Sequence, residues 1–104
     1  MNTPNSTSNV PLPDFDALIT AVSHSTRWKI LKELSAGEPL LIAELVQRIG
    51  GNAELMSKHL GVLRRAGVVL TRGRLHSIVK AHLPEPGQPV VDFGHCVLRL
   101  DKMG

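Results

Sequence analysis

NAELMSKHLGVLRRAG, residues 52–67, has the outline of a complete helix. Asn52 is a residue type that accepts hydrogen bonds from the free N–H groups of a first turn. Glu54 puts a carboxylate near the positive end of the helix dipole. Gly67 suits the left-handed conformation in which many helices end. Between them Met56, Leu60 and Leu63 recur at i, i+4 and i+7, with Ala53 extending the stripe, so one side must be buried. Glu54, Lys58, Gly61 and Arg65 fall on the opposite side, with Ser57 on its flank. One apolar stripe opposite a small, basic face is the pattern of a helix that reads a DNA major groove. A solvated surface helix can carry the same charges, so the neighbouring segments carry the decision.

Upstream, Gly50 and Gly51 make a turn. Leu41, Ile42, Leu45, Val46 and Ile49 have helical spacing over about residues 40–49, with Pro39 placed where a helix can begin. Helix, short glycine turn, helix is the helix-turn-helix arrangement. Before it, residues 26–36 predict a helix buried through Ile30, Leu31 and Leu34, with Trp28 at its edge and Gly37 as its stop. Asp14 caps a first helix over residues 14–22, whose apolar stripe is Phe15, Leu18, Ile19 and Val22. Residues 1–13, rich in Asn, Ser, Thr and Pro, are expected to be a disordered tail.

Downstream the period changes from helical to alternating. Residues 68–71 and 75–81 read as strands, and Gly73, between Arg72 and Arg74, suits a tight hairpin. A hairpin directly after a helix-turn-helix is a wing. Residues 83–89 hold three prolines and a glycine and read as a stiff linker. Residues 90–100 alternate as one strand, with Val91, Phe93, His95 and Val97 on one face and Cys96, Leu98 and Leu100 on the other. The expected domains are therefore the tail 1–13, a winged-helix domain 14–82, the linker 83–89 and a C-terminal strand 90–104.

Charge is segregated along the chain. The net charge is only +3, but residues 57–82 carry six cations (Lys58, Arg64, Arg65, Arg72, Arg74, Lys80) and no acid. Such a block is the electrostatic footprint for a polyanion. Aromatics make up 3% of the chain, too few for the stacking platforms of a single-strand binder. The lone Cys96 permits no intrachain disulfide, and no apolar run is long enough to span a bilayer, so a cytoplasmic protein with no membrane partner is expected. No spacing supports a catalytic triad or a phosphate loop, and no enzyme activity or cofactor is expected. The five histidines and Cys96 are dispersed, so no metal site is expected either.

The segment SKHLGVLRRAGVV, residues 57–69, resembles the Ser-x-His-Leu-x-x-Leu-x-x-Ala-Gly-Leu-Val signature of the ArsR/SmtB winged-helix repressors. RWKILKEL, residues 27–34, resembles that family's second helix, and Ala43-Glu44-Leu45 resembles the start of its helix-turn-helix. The resemblance covers about residues 15–81. It implies a mainly α fold with a small β-hairpin wing, a winged helix-turn-helix of the α+β class, in a homodimeric transcriptional repressor. The family usually ends in a helix packed against the partner. Here Pro84, Pro86 and Pro89 rule that out, and an extra C-terminal strand stands in its place.

The expected partner is double-stranded DNA bearing a near-palindromic operator, with half-sites about 34–36 Å apart. The expected DNA-binding residues are Asn52, Glu54, Ser57, Lys58, His59, Gly61, Arg64, Arg65, Arg72 and Arg74. Lys58 and Arg65 suit guanine, Glu54 suits cytosine, and Gly61 would let the helix approach the duplex closely. His59, on the margin of the buried stripe, suits a structural or phosphate-contacting role. The dimer contact is expected from Phe15, Leu18, Ile19 and Val22 of the first helix with Val91, Phe93 and Val97 of the tail. The rival class is a winged helix that binds protein instead of nucleic acid.

Overall fold

A computed structural model of the chain describes residues 14–94 and 96–102; the expected tail 1–13, His95 and residues 103–104 of the expected C-terminal strand lie outside them. Four helices come first: α1 (Phe15–Val22), α2 (Ser25–Leu34), α3 (Ile42–Ile49) and α4 (Ala53–Arg65). Then follow the hairpin β1 (Val69–Arg72) and β2 (Leu75–Ile78) and a second hairpin, β3 (Val90–Asp92) and β4 (Val97–Arg99). This is a winged helix, with α3 and α4 as the helix-turn-helix.

The caps follow the chemistry of their residues. Asp14 Oδ2 accepts from the Ala17 N–H at 3.0 Å, and Asn52 Oδ1 accepts from the Leu55 N–H at 2.9 Å. His24 Nδ1 does the same for Thr26 at 3.1 Å, so α2 begins on a histidine cap. Leu40 is not helical. It exchanges both backbone hydrogen bonds with His76, each 2.9 Å, and adds a one-residue third strand to the wing. Helix α3 therefore starts two residues later than Pro39 suggests, with the Glu44 carboxylate accepting from the Leu41 N–H at 2.8 Å.

In the wing Arg72 pairs with Leu75, leaving the two-residue loop Gly73-Arg74. Gly73 has φ +62°, the geometry of a hairpin turn with glycine at its first central position. Strand β2 stops at Ile78, and residues 80–82 form a single 3-10 turn.

The core is continuous through the helices, the wing and the tail: Leu18, Ile30, Leu31, Leu45, Leu60, Leu63 and Val68 are fully buried. The stripe Met56, Leu60, Leu63 of α4 packs inward, while Ala53 is exposed.

One expectation needs correction, and another gains detail. The segment 83–89, read as a stiff linker, is packed against the domain. The Gly87 N–H donates to Ser35 O at 2.9 Å, and Leu83 is buried. Pro86 rests on Gly37 so closely that a Cβ there would lie 2.7 Å from Pro86 Cβ. Gly37 also has φ +95°, so both its backbone and its surroundings exclude a side chain.

The tail is a hairpin, not one strand. Asp92 Oδ1 accepts from the Gly94 N–H at 2.9 Å and Gly94 has φ +93°, which reverses the chain. Val91, Phe93 and Leu100 then enter the core of their own chain, each fully buried. Trp28 Nε1 donates to Leu100 O at 3.1 Å and ties the end of the tail to α2. Val91 and Phe93, and likewise Leu18, are therefore unavailable as dimer contacts; Phe15, Ile19 and Val97 remain exposed and Val22 half-buried.

Candidate nucleic-acid interface

Helix α4 is held from behind by α1, α2 and α3 and runs through a short turn into β1. Its outward face carries Glu54, Ser57, Lys58, Arg64 and Arg65, all exposed. Arg72 and Arg74 are exposed at the end of the wing. The charge of Arg64 acts on His76 of β2, so the end of α4 and the wing share one electrostatic environment. The structure thus places Lys58 and Arg64 of the helix and both wing arginines on the outside of one continuous unit.

Gly61 and Arg65 are placed differently from expectation, while His59 and Asn52 take the structural roles open to them. Gly61 is not open. The Arg65 guanidinium lies over it, with Nη1 3.2 Å from where a Cβ would stand. Arg65 also lines a shallow depression with Asp16, Ala17 and Thr20, so it leans against α1. His59 turns away from the outward face. Its Nδ1 meets Arg27 Nη1 at 3.3 Å, and its ring lies 4.6 Å from that of His24. It is half-buried against α2, which removes it from the groove-facing group. Asn52 keeps its place at the helix start, but its carbonyl oxygen is engaged as the cap.

Other residues join the surface without a local signal in the sequence. Leu55 is 50% exposed beside the outward face, an apolar group of the kind that meets a thymine methyl. Thr26 and Lys29 of α2 line a cleft with Gly50, Gly51 and Asn52, beside the helix-turn-helix turn. Lys29 was readable only as a solvated cation, since nothing local shows which turn it faces.

Burial sets the histidine electrostatics. His59 is held below the usual histidine range by desolvation, then by the nearby His24 and Arg27. His76, hydrogen-bonded to Thr71 Oγ1 at 2.9 Å, is lowered by burial and then by Arg64. His82 is lowered by burial, against the opposing pull of the Asp92 and Gly67 backbone and the Asp92 carboxylate. Its Nε2 has no hydrogen-bond partner among the described residues.

All three shifts have one sign, and it fixes a pH dependence. An unfolded histidine takes its proton near pH 6.5, the folded ones only at lower pH. Below 6.5 the unfolded chain binds more protons, so stability is full above that pH and falls as pH drops. The denaturant midpoint is expected to be lower at about pH 5.5 than at about pH 7.5, and His82→Phe should reduce that difference. A midpoint that holds or rises on acidification would contradict it.

Residues 22–72, from the end of α1 to the end of β1, match the sequence profile described as "Helix-turn-helix domain". The match takes in α2, α3, α4 and the first strand of the wing, just under half of the chain. Two curated relatives named "Biofilm growth-associated repressor", from two strains of Xylella fastidiosa, are each 38% identical over 61 residues. The matched segment is 59% of this chain and 53% of each relative, so the chain spans about half the length of the curated relatives it matches. Among solved structures, HlyU from Vibrio cholerae superposes with a TM-score of 0.59 at 27% identity, over 66% of this chain and 78% of that one. The likeness to HlyU bears on the winged-helix fold, and the profile match on its helix-turn-helix part.

Proposed function

We propose that the chain is a sequence-specific DNA-binding regulator, a repressor of the ArsR/SmtB type, acting as a homodimer on a near-palindromic operator. The observation that carries this reading is the exposed cationic set on α4 and the wing: Lys58, Arg64, Arg72 and Arg74, with Ser57 between them. Phosphates would be held by the wing arginines and bases read by Ser57 and Lys58. Arg65 joins them once it swings off Gly61. The relatives named as repressors support the direction of regulation. Selection of bound sequences from a random duplex pool tests the reading. The expected product is two half-sites one helical turn apart; a pool that stays random would overturn it.

The dimer would form through Phe15, Ile19 and Val22, which follow one another at i, i+4 and i+7 along α1, and through Val97. Phe15 is 52%, Ile19 46% and Val97 56% exposed, a large apolar surface for so small a domain. Val22 and Val97 line one groove with Trp28 and Leu98, which brings the end of the α1 stripe beside the tail. Ile19→Glu is expected to sediment as a monomer at concentrations where the parent is a dimer, with weaker operator binding because the half-sites are no longer linked. A variant that remains dimeric would move the interface elsewhere.

A further inference from the structure

The outer face of the wing is the floor of a second cleft. Side chains alternate along a strand, and the register pairs Leu70 with Ser77 and Arg72 with Leu75. Those four therefore share one face. The opposite face, with Val69, His76 and Ile78 buried, belongs to the core. Two loops wall the outer face: Gly37 and Pro39 after α2, and Leu83 and Pro86 of the linker. Pro86 seated on Gly37 joins the walls. The cleft measures about 510 Å³, within the range of about 300–1,000 Å³ typical of small-molecule sites.

Its lining has one chemical character. The apolar part is aliphatic, from Leu70, Leu75, Leu83 and the edge of Ile78, with no aromatic ring among the described residues. The only ionisable side chains among those described in the lining are Arg72 and Lys80, both cationic. Neither makes an ion pair or side-chain hydrogen bond among the described residues. The acids nearest in sequence, Glu38 and Glu85, are exposed and lie outside the lining. An aliphatic floor beneath two unpaired cations is complementary to a molecule with an alkyl chain and one anionic head.

We propose that this cleft binds an aliphatic carboxylate as an effector. The chain lies on Leu70, Leu75 and Leu83. The carboxylate takes two parallel N–H bonds from the Arg72 guanidinium, with the Lys80 ammonium as a second charge. Arg72 is also a wing cation assigned above to a DNA phosphate. One guanidinium does not serve both anions, so an occupied cleft weakens DNA binding, and DNA weakens effector binding by the same factor. The regulatory half of this inference rests on the DNA reading; the binding half does not.

The test uses the full chain without DNA, at fixed ionic strength, with octanoate as probe and octanamide as its uncharged match. Methyl shifts of Leu70, Leu75 and Leu83 report occupancy. Octanoate is expected to saturate those shifts and octanamide to bind at least about tenfold more weakly. Arg72→Gln and Lys80→Gln should each bring octanoate down toward the level of octanamide, while Arg99→Gln, in the α1–tail groove, should leave it unchanged. Equal binding of acid and amide, no saturation, or shifts centred on Val22, Trp28 and Val97 would overturn the site. Saturating octanoate should then lower the duplex affinity of the parent chain about tenfold or more. Octanoate that binds without changing duplex affinity would overturn the effector role. A chain that binds no duplex at all would sink the DNA reading, and the octanoate titration would still decide the site.

Discussion

Phe93→Ala is expected to remove a large share of the stability of this protein. Phe93 is 0% exposed and stands beside the buried His82, ring centroids 5.3 Å apart. Truncating a fully buried phenylalanine costs about 3–5 kcal/mol, from lost transfer free energy and the cavity left behind. A domain of this size has a total of about 5–15 kcal/mol. The melting temperature should drop by more than ~12 °C. Phe93→Leu, which refills most of the space, should recover a large part of the loss. The reason is architectural. The second hairpin contributes Val91, Phe93 and Leu100 to the same core as the helices, and Trp28 holds its end. A Phe93→Ala chain that melts within ~3 °C of the parent would show that the tail is an appendage.

Replacing both Arg72 and Arg74 with Ala is expected to weaken every duplex alike, while Lys58→Ala changes which duplex is preferred. Both wing arginines are exposed, and the Gly73 turn holds Arg74 at the tip. A phosphate contact carries no sequence information, so its removal acts uniformly. Each phosphate no longer neutralised should reduce the log–log salt slope by about 0.9, or about 1.8 per protomer for the pair. Between 50 and 200 mM salt, roughly the range over which such effects are measured, that is about a tenfold difference in affinity for one protomer and more for a dimer. Lys58 stands on the outward face of α4, next to Ser57. If it bonds a base, its removal costs about 1–3 kcal/mol at that position only. Competition between the selected operator and a scrambled duplex separates the two effects. Wing variants that alter preference, or a Lys58→Ala chain that weakens both duplexes equally, would reverse the roles.

The helices were legible because their signals are local. The spacing of Met56, Leu60 and Leu63 and the caps Asp14 and Asn52 all act within one or two turns. Gly73 marked the wing for the same reason, since its positive φ is a property of the turn itself. The tail was misread because two local signals competed. Alternation over residues 90–100 suits one long strand, and Asp92 with Gly94 interrupts it only if the side-chain-capped turn they form is favoured over continued pairing. What settles that contest is burial of Val91, Phe93 and Leu100 against α2 and the 3-10 turn, a long-range effect with no local trace. The candidate residues divide in the same way. The exposure of Lys58 follows from helix phase, and that of Arg72 and Arg74 from turn position. The cover of Arg65 over Gly61 and the grip of Arg27 on His59 depend on side-chain conformation and on α2, whose Arg27 lies 32 residues from its partner.

Binding of duplex DNA through the cationic face of α4 and the wing is the claim on which the rest depends. The most direct measurement is the affinity of the parent chain for a duplex across a salt series, plotted as log K against log salt concentration. With Arg64, Arg72 and Arg74 each on a phosphate, the expected slope is steep, about −3 for each protomer bound. Affinity that is absent at low salt, or that does not change along the series, would contradict it and favour a winged helix that binds protein.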